Sequence, residues 1–324
     1  MRYFPGPALV MAVTALIAVQ PALAQQKFPS KPIRMLVPFS AGSVTDFVAR
    51  VLGQKMTEHW GQQVVVDNRP SAGGIIASET LLAAPPDGYS LMLVSIGHAV
   101  NASLYSKLPY DTIRDFAGIT LVADTPTVLV VTPSLGLKTV RDLVDLAKSR
   151  PGKMNYASAG VGSGAHINAE QFKLATGIDV VHVPYKGTPE ALSNVIGGSV
   201  SFFFAPITGA VTLVKGGKIG ALAVSTKERS PVLPDLPSAA EVGVPGFEFN
   251  LWTGLVGPGK LPKDIKDKIN REAVAILSAA DVKERMLTQG ATPHPMSPAQ
   301  FDAFIKSEVE RLAKVVKASG AKAD

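Results

Sequence analysis

Two short loops rich in small and hydroxyl-bearing residues are where this sequence could do chemistry. The first runs from Phe39 through Ser40, Ala41, Gly42, Ser43, Val44 and Thr45 to Asp46. It follows an apolar run, Ile33 to Phe39, and leads into Val44, Phe47, Val48, Val51 and Leu52 at helical spacing. Ser43 and Asp46 stand in the S-x-x-D relation of a capping box, which predicts a helix start at that point. The first N–H groups of a helix have no intrahelical partner and carry the positive end of its dipole, so a carboxylate docks there without a lysine. The second loop repeats the design: a short strand, Met154 to Ala157, then Ser158 to Gly164, then a helix from about Ala165 to Thr176 carrying His166.

The second loop matches G-x-G-x-x-[GA] through Gly160, Gly162 and Ala165, and Asp179 lies near where a ribose-binding acid is sought. The context excludes a dinucleotide site, because the strand before the loop is short and polar and Asp179 precedes the next strand, Val180 to Val183, instead of ending it. The remaining reading is that Gly160 and Gly162 let backbone approach a small ligand while Ser158, Ser163 and helix N–H groups donate hydrogen bonds. Each half of the chain then presents one anion-binding helix start to a shared cleft. Catalytic groupings are missing: neither serine sits in G-x-S-x-G, there is no H-E-x-x-H, and no cysteine nucleophile exists. His166 and Glu170, at i,i+4, could form one edge of a metal site but lack a third ligand in sequence. No metal and no cofactor is implied.

Composition narrows the class. Arg2, the apolar stretch Ala8 to Val19 and Ala22-Leu23-Ala24 read as a secretory signal cleaved after Ala24. The mature chain, about 300 residues, is long for one core and suggests two domains. The sequence has no cysteine, so an exported chain of this size is held by packing alone, which favours a soluble periplasmic protein over a lipoprotein. The formal net charge is +6, and basic residues are scattered among acids as in Lys263 to Arg271, without the aromatic-interleaved clusters of a nucleic-acid binder.

The elements that must position the loops follow in order. Strands are predicted at Gln63 to Asp67, Ser90 to Ser95, Thr127 to Thr132, Met154 to Ala157, Val180 to Val183, Ser199 to Ala205, Ile219 to Ser225 and Phe249 to Val256. Helices are predicted over Ile75 to Ala83, from His98, over Val140 to Lys148, and from Thr188-Pro189-Glu190, which puts proline at the first helical position. The tail is helical, with Ile265, Ile269, Ile276 and Leu277 on one stripe and Phe301, Phe304, Ile305, Val309 and Leu312 on another. Strands alternating with helices give an α/β fold with open sheets. The first domain is expected to span 25–126 and to be completed by 250–324, with 127–249 as the second; the chain crosses near Pro126 and returns near Phe249 to Trp252.

In this order the motifs resemble those of the exported solute receptors of tripartite tricarboxylate transporters, the TctC or Bug-type receptors. The resemblance covers the mature chain and rests on Val37-Pro38-Phe39-Ser40-Ala41-Gly42 with Asp46, Asn68-Arg69-Pro70, Pro86-Asp87-Gly88-Tyr89, Leu108-Pro109-Tyr110-Asp111, Tyr156-Ala157-Ser158 with His166, and Val183-Pro184-Tyr185-Lys186-Gly187. It implies a two-domain periplasmic binding protein of the Venus-flytrap kind, monomeric, that closes on a small organic carboxylate and hands it to membrane transporter subunits; a periplasmic sensor would use the same clamp, and a hydrolase is the third alternative. It also implies that Phe39 to Asp46 and Ser158 to Ser163 with His166 bind the ligand, often through ordered waters, and that Tyr185 flanks the cleft. The chain departs from the family pattern where Ser43 replaces a second glycine and Val44 a small polar residue. Phe202, Phe203 and Phe204 form an unusually aromatic strand; alternation puts Phe202 and Phe204 on one face, either in the core or, for Phe204, stacked on an aromatic ligand such as a benzene dicarboxylate.

Overall fold

The computed structural model describes Met1, residues 28–244 and residues 247–323. The signal segment and its cleavage site therefore lie outside the described residues. In chain order the strands are β1 (Ile33–Val37), β2 (Val64–Asn68), β3 (Ser90–Ser95), β4 (Phe116–Val131), β5 (Met154–Ser158), β6 (Val180–Pro184), β7 (Phe202–Pro206), β8 (Gly220–Val224), β9 (Asn250–Pro258) and β10 (Thr292–Pro293). The helices are α1 (Val44–Trp60), α2 (Ile75–Leu82), α3 (Ile96–Leu104), α4 (Val140–Ser149), α5 (Gly164–Thr176), α6 (Thr188–Ile196), α7 (Ile207–Lys215), α8 (Ala239–Val242), α9 (Lys263–Ser278), α10 (Ala280–Leu287) and α11 (Pro298–Ser319).

One strand joins the two halves. Residues 116–126 of β4 pair antiparallel with β9, whose other neighbour is β3, and the order continues β3-β1-β2 with parallel pairing at β1. Residues 127–131 of β4 pair instead with β7 and β8, and the order continues β7-β5-β6 with parallel pairing at β5. The change of partner falls between Pro126, opposite Asn250, and Thr127, opposite Pro206. Only Thr127 to Thr132 was legible as strand in the sequence. Gly118, Thr120 and Asp124 break the apolar run of the first eleven residues, and two register irregularities bend them.

Alternation along the strands sorts the core. In the first half Ile33, Met35 and Val37 face α1 and α9, while Leu36 faces α2, α3 and α11. In the second half Leu129, Val131, Phe202 and Phe204 pack under α4 and α5, while Val128, Val130 and Phe203 meet α6 and α7. The two predicted tail stripes are largely the buried faces: Ile269, Ile276 and Leu277 on α9, and Phe301, Ile305 and Leu312 on α11. Helix α10 and strand β10 were not foreseen. No described helix is long and apolar enough to cross a membrane.

Candidate functional site

Helices α1, α3, α5, α6 and α7 each follow a strand directly, so five helix N-termini gather where the strands of both halves end. Between them lies a narrow cleft of about 30 Å³ with walls from both halves. Phe39, Ser43, Val44, Thr45, Ser95 and Ile96 line it from the first half, Ser163, Gly164, Ala165 and Thr188 from the second, and Leu251, Trp252 and Thr253 from the returning strand. The halves touch across it through glycines. A Cβ on Gly42 would lie 3.3 Å from Pro189 Cγ, and one on Gly97 3.0 Å from the Gly162 carbonyl oxygen. A Cβ on Gly187 would overlap the Ser40 hydroxyl, and one on Gly164 would overlap Leu251 and sit 2.6 Å from Ile96 Cγ2.

The first loop is shaped by its own side chains. Ser43 is the N-cap, its Oγ accepting from Asp46 N at 3.2 Å. The reciprocal bond of a capping box is shifted by one residue: the Asp46 carboxylate accepts from Gly42 N at 3.0 Å, as well as from Arg50 at 2.9 Å and Asn68 at 3.0 Å. Burial works to raise the Asp46 pKa, but the bonds from Arg50, Gly42 and Asn68 outweigh it and hold the carboxyl below its usual range. Gly42 has φ +79°, a left-handed conformation that suits glycine, whereas Ser43 at φ −72° needs no second glycine. Asp46 is thus buried, lies outside the cleft lining and ties the loop to α1 and Asn68. Ala41 and Gly42 are exposed and lie outside the lining.

The second loop has a buried polar scaffold. Ser158, wholly buried, lies 2.7 Å from His182 Nε2 and bonds both the N–H and the carbonyl of Gly160 at 3.1 Å. His182 stacks on His166 with ring centroids 4.2 Å apart and on Tyr156 at 4.8 Å. His166 Nδ1 accepts from Gly162 N at 3.3 Å, and the Tyr156 hydroxyl donates to Glu170 at 2.5 Å, beside Lys173 at 2.8 Å. Burial, aided by the neighbouring His166 and Lys173 charges, pushes the His182 pKa down to about 3. Burial likewise lowers His166 and raises Tyr156. The Ser158–His182 pair is no nucleophile, because its oxygen is sealed from the cleft and shared with the Gly160 backbone. Among the described residues no three His, Cys, Asp or Glu side chains cluster as a metal site, and Glu170 is committed to Tyr156 and Lys173.

Of the sequence-selected residues, Phe39, Ser43, Thr45 and Ser163 line the cleft. Ser158, Gly160, Gly162 and His166 build the turn behind Ser163, while Ser40 meets Gly187 at the rim. Tyr185 lies outside the lining, packed on the α6 and α7 core with its N–H bonded to Ser158 O at 3.0 Å. Phe204 is corrected: its ring is fully buried, 5.3 Å from Phe172 and 5.6 Å from Phe247, in the core under α4 and α5. The strand's inward face is filled by that core, so the ring cannot stack on a ligand in the cleft. Ser95, Ile96, Leu251, Trp252 and Thr253 were missed. A serine ending an apolar strand, as Ser95 does before a helix, is the signal that could have found the first two.

The site's chemistry is concentrated at two helix starts. The N–H groups of Val44, Thr45, Gly164 and Ala165 make no hydrogen bond within the protein, and all four residues line the cleft. Thr45 is fully buried and its Oγ1 also has no partner. The first N–H groups of any helix lack an intrahelical partner and are free to meet a ligand or water. Two lobes on a shared strand, closing helix starts over a cleft, define the class: a solute-binding receptor. Residues 48–321 match the model of the tripartite tricarboxylate transporter family receptor, TctC, and the chain belongs to that family. It is 35% identical to the protein BugT of Bordetella pertussis over 97% of each chain. It superposes on the structure of R. palustris Rpa4515 with adipate at TM-score 0.88, with 34% identity over 91% of this chain and 99% of that one. On MatC of Rhodopseudomonas palustris with bound malate the TM-score is 0.85, with 31% identity over 89% and 100%. Members of the family are periplasmic solute receptors that bind carboxylates, and such receptors are not enzymes.

Proposed function

We propose that this chain captures a small carboxylate between the N-termini of α1 and α5, closes on it, and delivers it to the membrane subunits of a tripartite tricarboxylate-type transporter. The observation that carries the reading is the buried Thr45 hydroxyl, which lines the cleft at the start of α1, opposite the start of α5, and has no partner of its own. Two helix N-termini supply the equivalent of roughly one positive charge, enough to hold one carboxylate without an ion pair. The adipate and malate bound by similar receptors support the ligand class. The earlier benzene dicarboxylate reading rested on Phe204 and loses its support with that ring in the core.

Closure follows from the topology. In this reading the described residues of 28–126 with 250–323 make one lobe and those of 127–249 the other, with rotation where β4 changes partner at Pro126 and where the chain returns at Asn250. A ligand that bridges both lobes lowers the free energy of the closed state and not of the open one. Both walls come from one chain, so a monomer suffices. The expected signal at residues 1–24, cleaved after Ala24, supports a periplasmic location.

Thr45→Val tests the reading, since it keeps the shape and deletes the hydroxyl. A hydrogen bond to a charged acceptor contributes about 1.5–3 kcal/mol, so carboxylate affinity should fall roughly 10- to 150-fold. Stability without ligand should hold or rise, because an unpaired buried hydroxyl is removed. If no mono-, di- or tricarboxylate raises the melting temperature of the unsubstituted protein, the receptor reading fails.

A further inference from the structure

The geometry points to a ligand with one carboxylate and a compact, uncharged, mainly apolar body, that is, a short monocarboxylate, as what the closed cleft selects. The inference rests on the receptor reading above and concerns the end of the ligand remote from α1 and α5. None of the residues lining the cleft carries an ionisable side chain. Arg50 on α1 is paired with Asp46 at 2.9 Å and Lys173 on α5 with Glu170 at 2.8 Å, while Lys186, in the loop before α6, is exposed and outside the lining.

The other three helix starts do not offer a second anion site. At α3 the Gly162 carbonyl oxygen of the other half lies 3.0 Å from where a Cβ on Gly97 would stand, so backbone crowds that terminus. At α6 the first turn contains Pro189, which has no N–H, and Glu190, whose carboxylate accepts from Lys186 N at 3.0 Å. From α7 only its cap residue Pro206 reaches the cleft, again without a donor.

The rest of the wall is hydrocarbon. Val44, Ile96, Leu251 and Trp252 present carbon to the cavity. The one donor of Trp252, Nε1–H, is turned away to Glu308 Oε2 on α11 at 2.8 Å. A second carboxylate laid against these groups would lose its hydration and gain no counter-charge, only the donors of neutral hydroxyls. An apolar body loses nothing there, and the hydroxyls of Thr188 and Thr253 can still meet one neutral oxygen.

Calorimetric titration with length-matched pairs tests this: butyrate against succinate, hexanoate against adipate, and benzoate against terephthalate. The monoacid of the best-bound pair should bind at least tenfold more tightly than its diacid. Val44→Ser, which adds a hydroxyl to the apolar wall, should narrow that ratio at least threefold. Equal or tighter binding of the diacid in every pair overturns this inference and leaves the carboxylate receptor standing. Binding of neither member of any pair overturns both.

Discussion

Replacing Gly164 by alanine separates closure from folding. Gly164 is the first residue of α5, with Ser163 as the cap, so alanine fits its backbone. In an open molecule the added methyl meets nothing from the other lobe and reduces the entropy of the unfolded chain, which stabilises by about 0.4–1 kcal/mol. In the closed molecule the same methyl overlaps Leu251 and lies 2.6 Å from Ile96 Cγ2, two buried side chains of the opposite lobe. Overpacking of this kind costs about 1–3 kcal/mol. Closure supplies the ligand with its second wall, so the cost appears in binding: affinity for the best carboxylate should fall about 5- to 150-fold. The melting temperature without ligand should stay level or rise if the open state dominates there. Titration calorimetry and thermal unfolding of both proteins, run in parallel, read the two quantities. Undiminished affinity in Gly164→Ala would refute the lobe contact as described.

Further expectations concern pH, the aromatic core and the hinge. Burial holds His98 at about 4 and His182 at about 3, while an unfolded histidine titrates near 6.5, so both are neutral in the native state and protons favour the unfolded chain below that pH. Stability should be level above pH 7 and fall by up to about 2 kcal/mol per histidine between pH 6.5 and 5, continuing toward the native values; equal urea midpoints at pH 7 and 5 would count against it. Phe204→Ala should cost about 3–5 kcal/mol in unfolding experiments, yet leave the affinity of the folded fraction unchanged, and a selective loss of affinity would return the ring to the site. The Ser225 hydroxyl accepts from Thr127 N at 2.9 Å and donates to Phe249 O at 2.5 Å, tying together the two chain crossings. Ser225→Ala strands both buried partners and should cost about 1–3 kcal/mol, read as a lower denaturant midpoint.

Much of the scaffold was legible because local rules act locally. Ser43 marks a helix start by cap chemistry that needs no tertiary partner and caps α1 as read. Helix α6, by contrast, starts one residue before the expected place, with Thr188 inside the helix and Gly187 as a cap without a side-chain bond. The two loops of the site were legible for the same reason. What escaped depends on distant pairing. The first part of β4 survives as a strand because β9, more than a hundred residues later, satisfies its backbone despite Gly118 and Pro126. Leu251, Trp252 and Thr253 join the wall only because that strand passes under the cleft. Asp46 was assigned to the ligand through the family resemblance; its bonds to Arg50, set by the helix itself at i,i+4, depend on a neighbour the loop motif does not include. Phe204 was ambiguous because alternation names a face and not what covers it; the covering rings, Phe172 and Phe247, come from elsewhere in the chain.

The position of Trp252 has an optical consequence. The sequence holds only two tryptophans, and the other, Trp60, ends α1 beside Phe28, with ring centroids 5.9 Å apart. Indole emission follows local polarity and the quenching groups within reach, so a solute entering the cleft alters the spectrum of Trp252 while Trp60 acts as an internal reference. The anchoring bond to Glu308 fixes the orientation of the ring, which makes its emission a steady baseline. Under the proposed site, occupancy of the cleft should be readable without a label as a change in Trp252 emission.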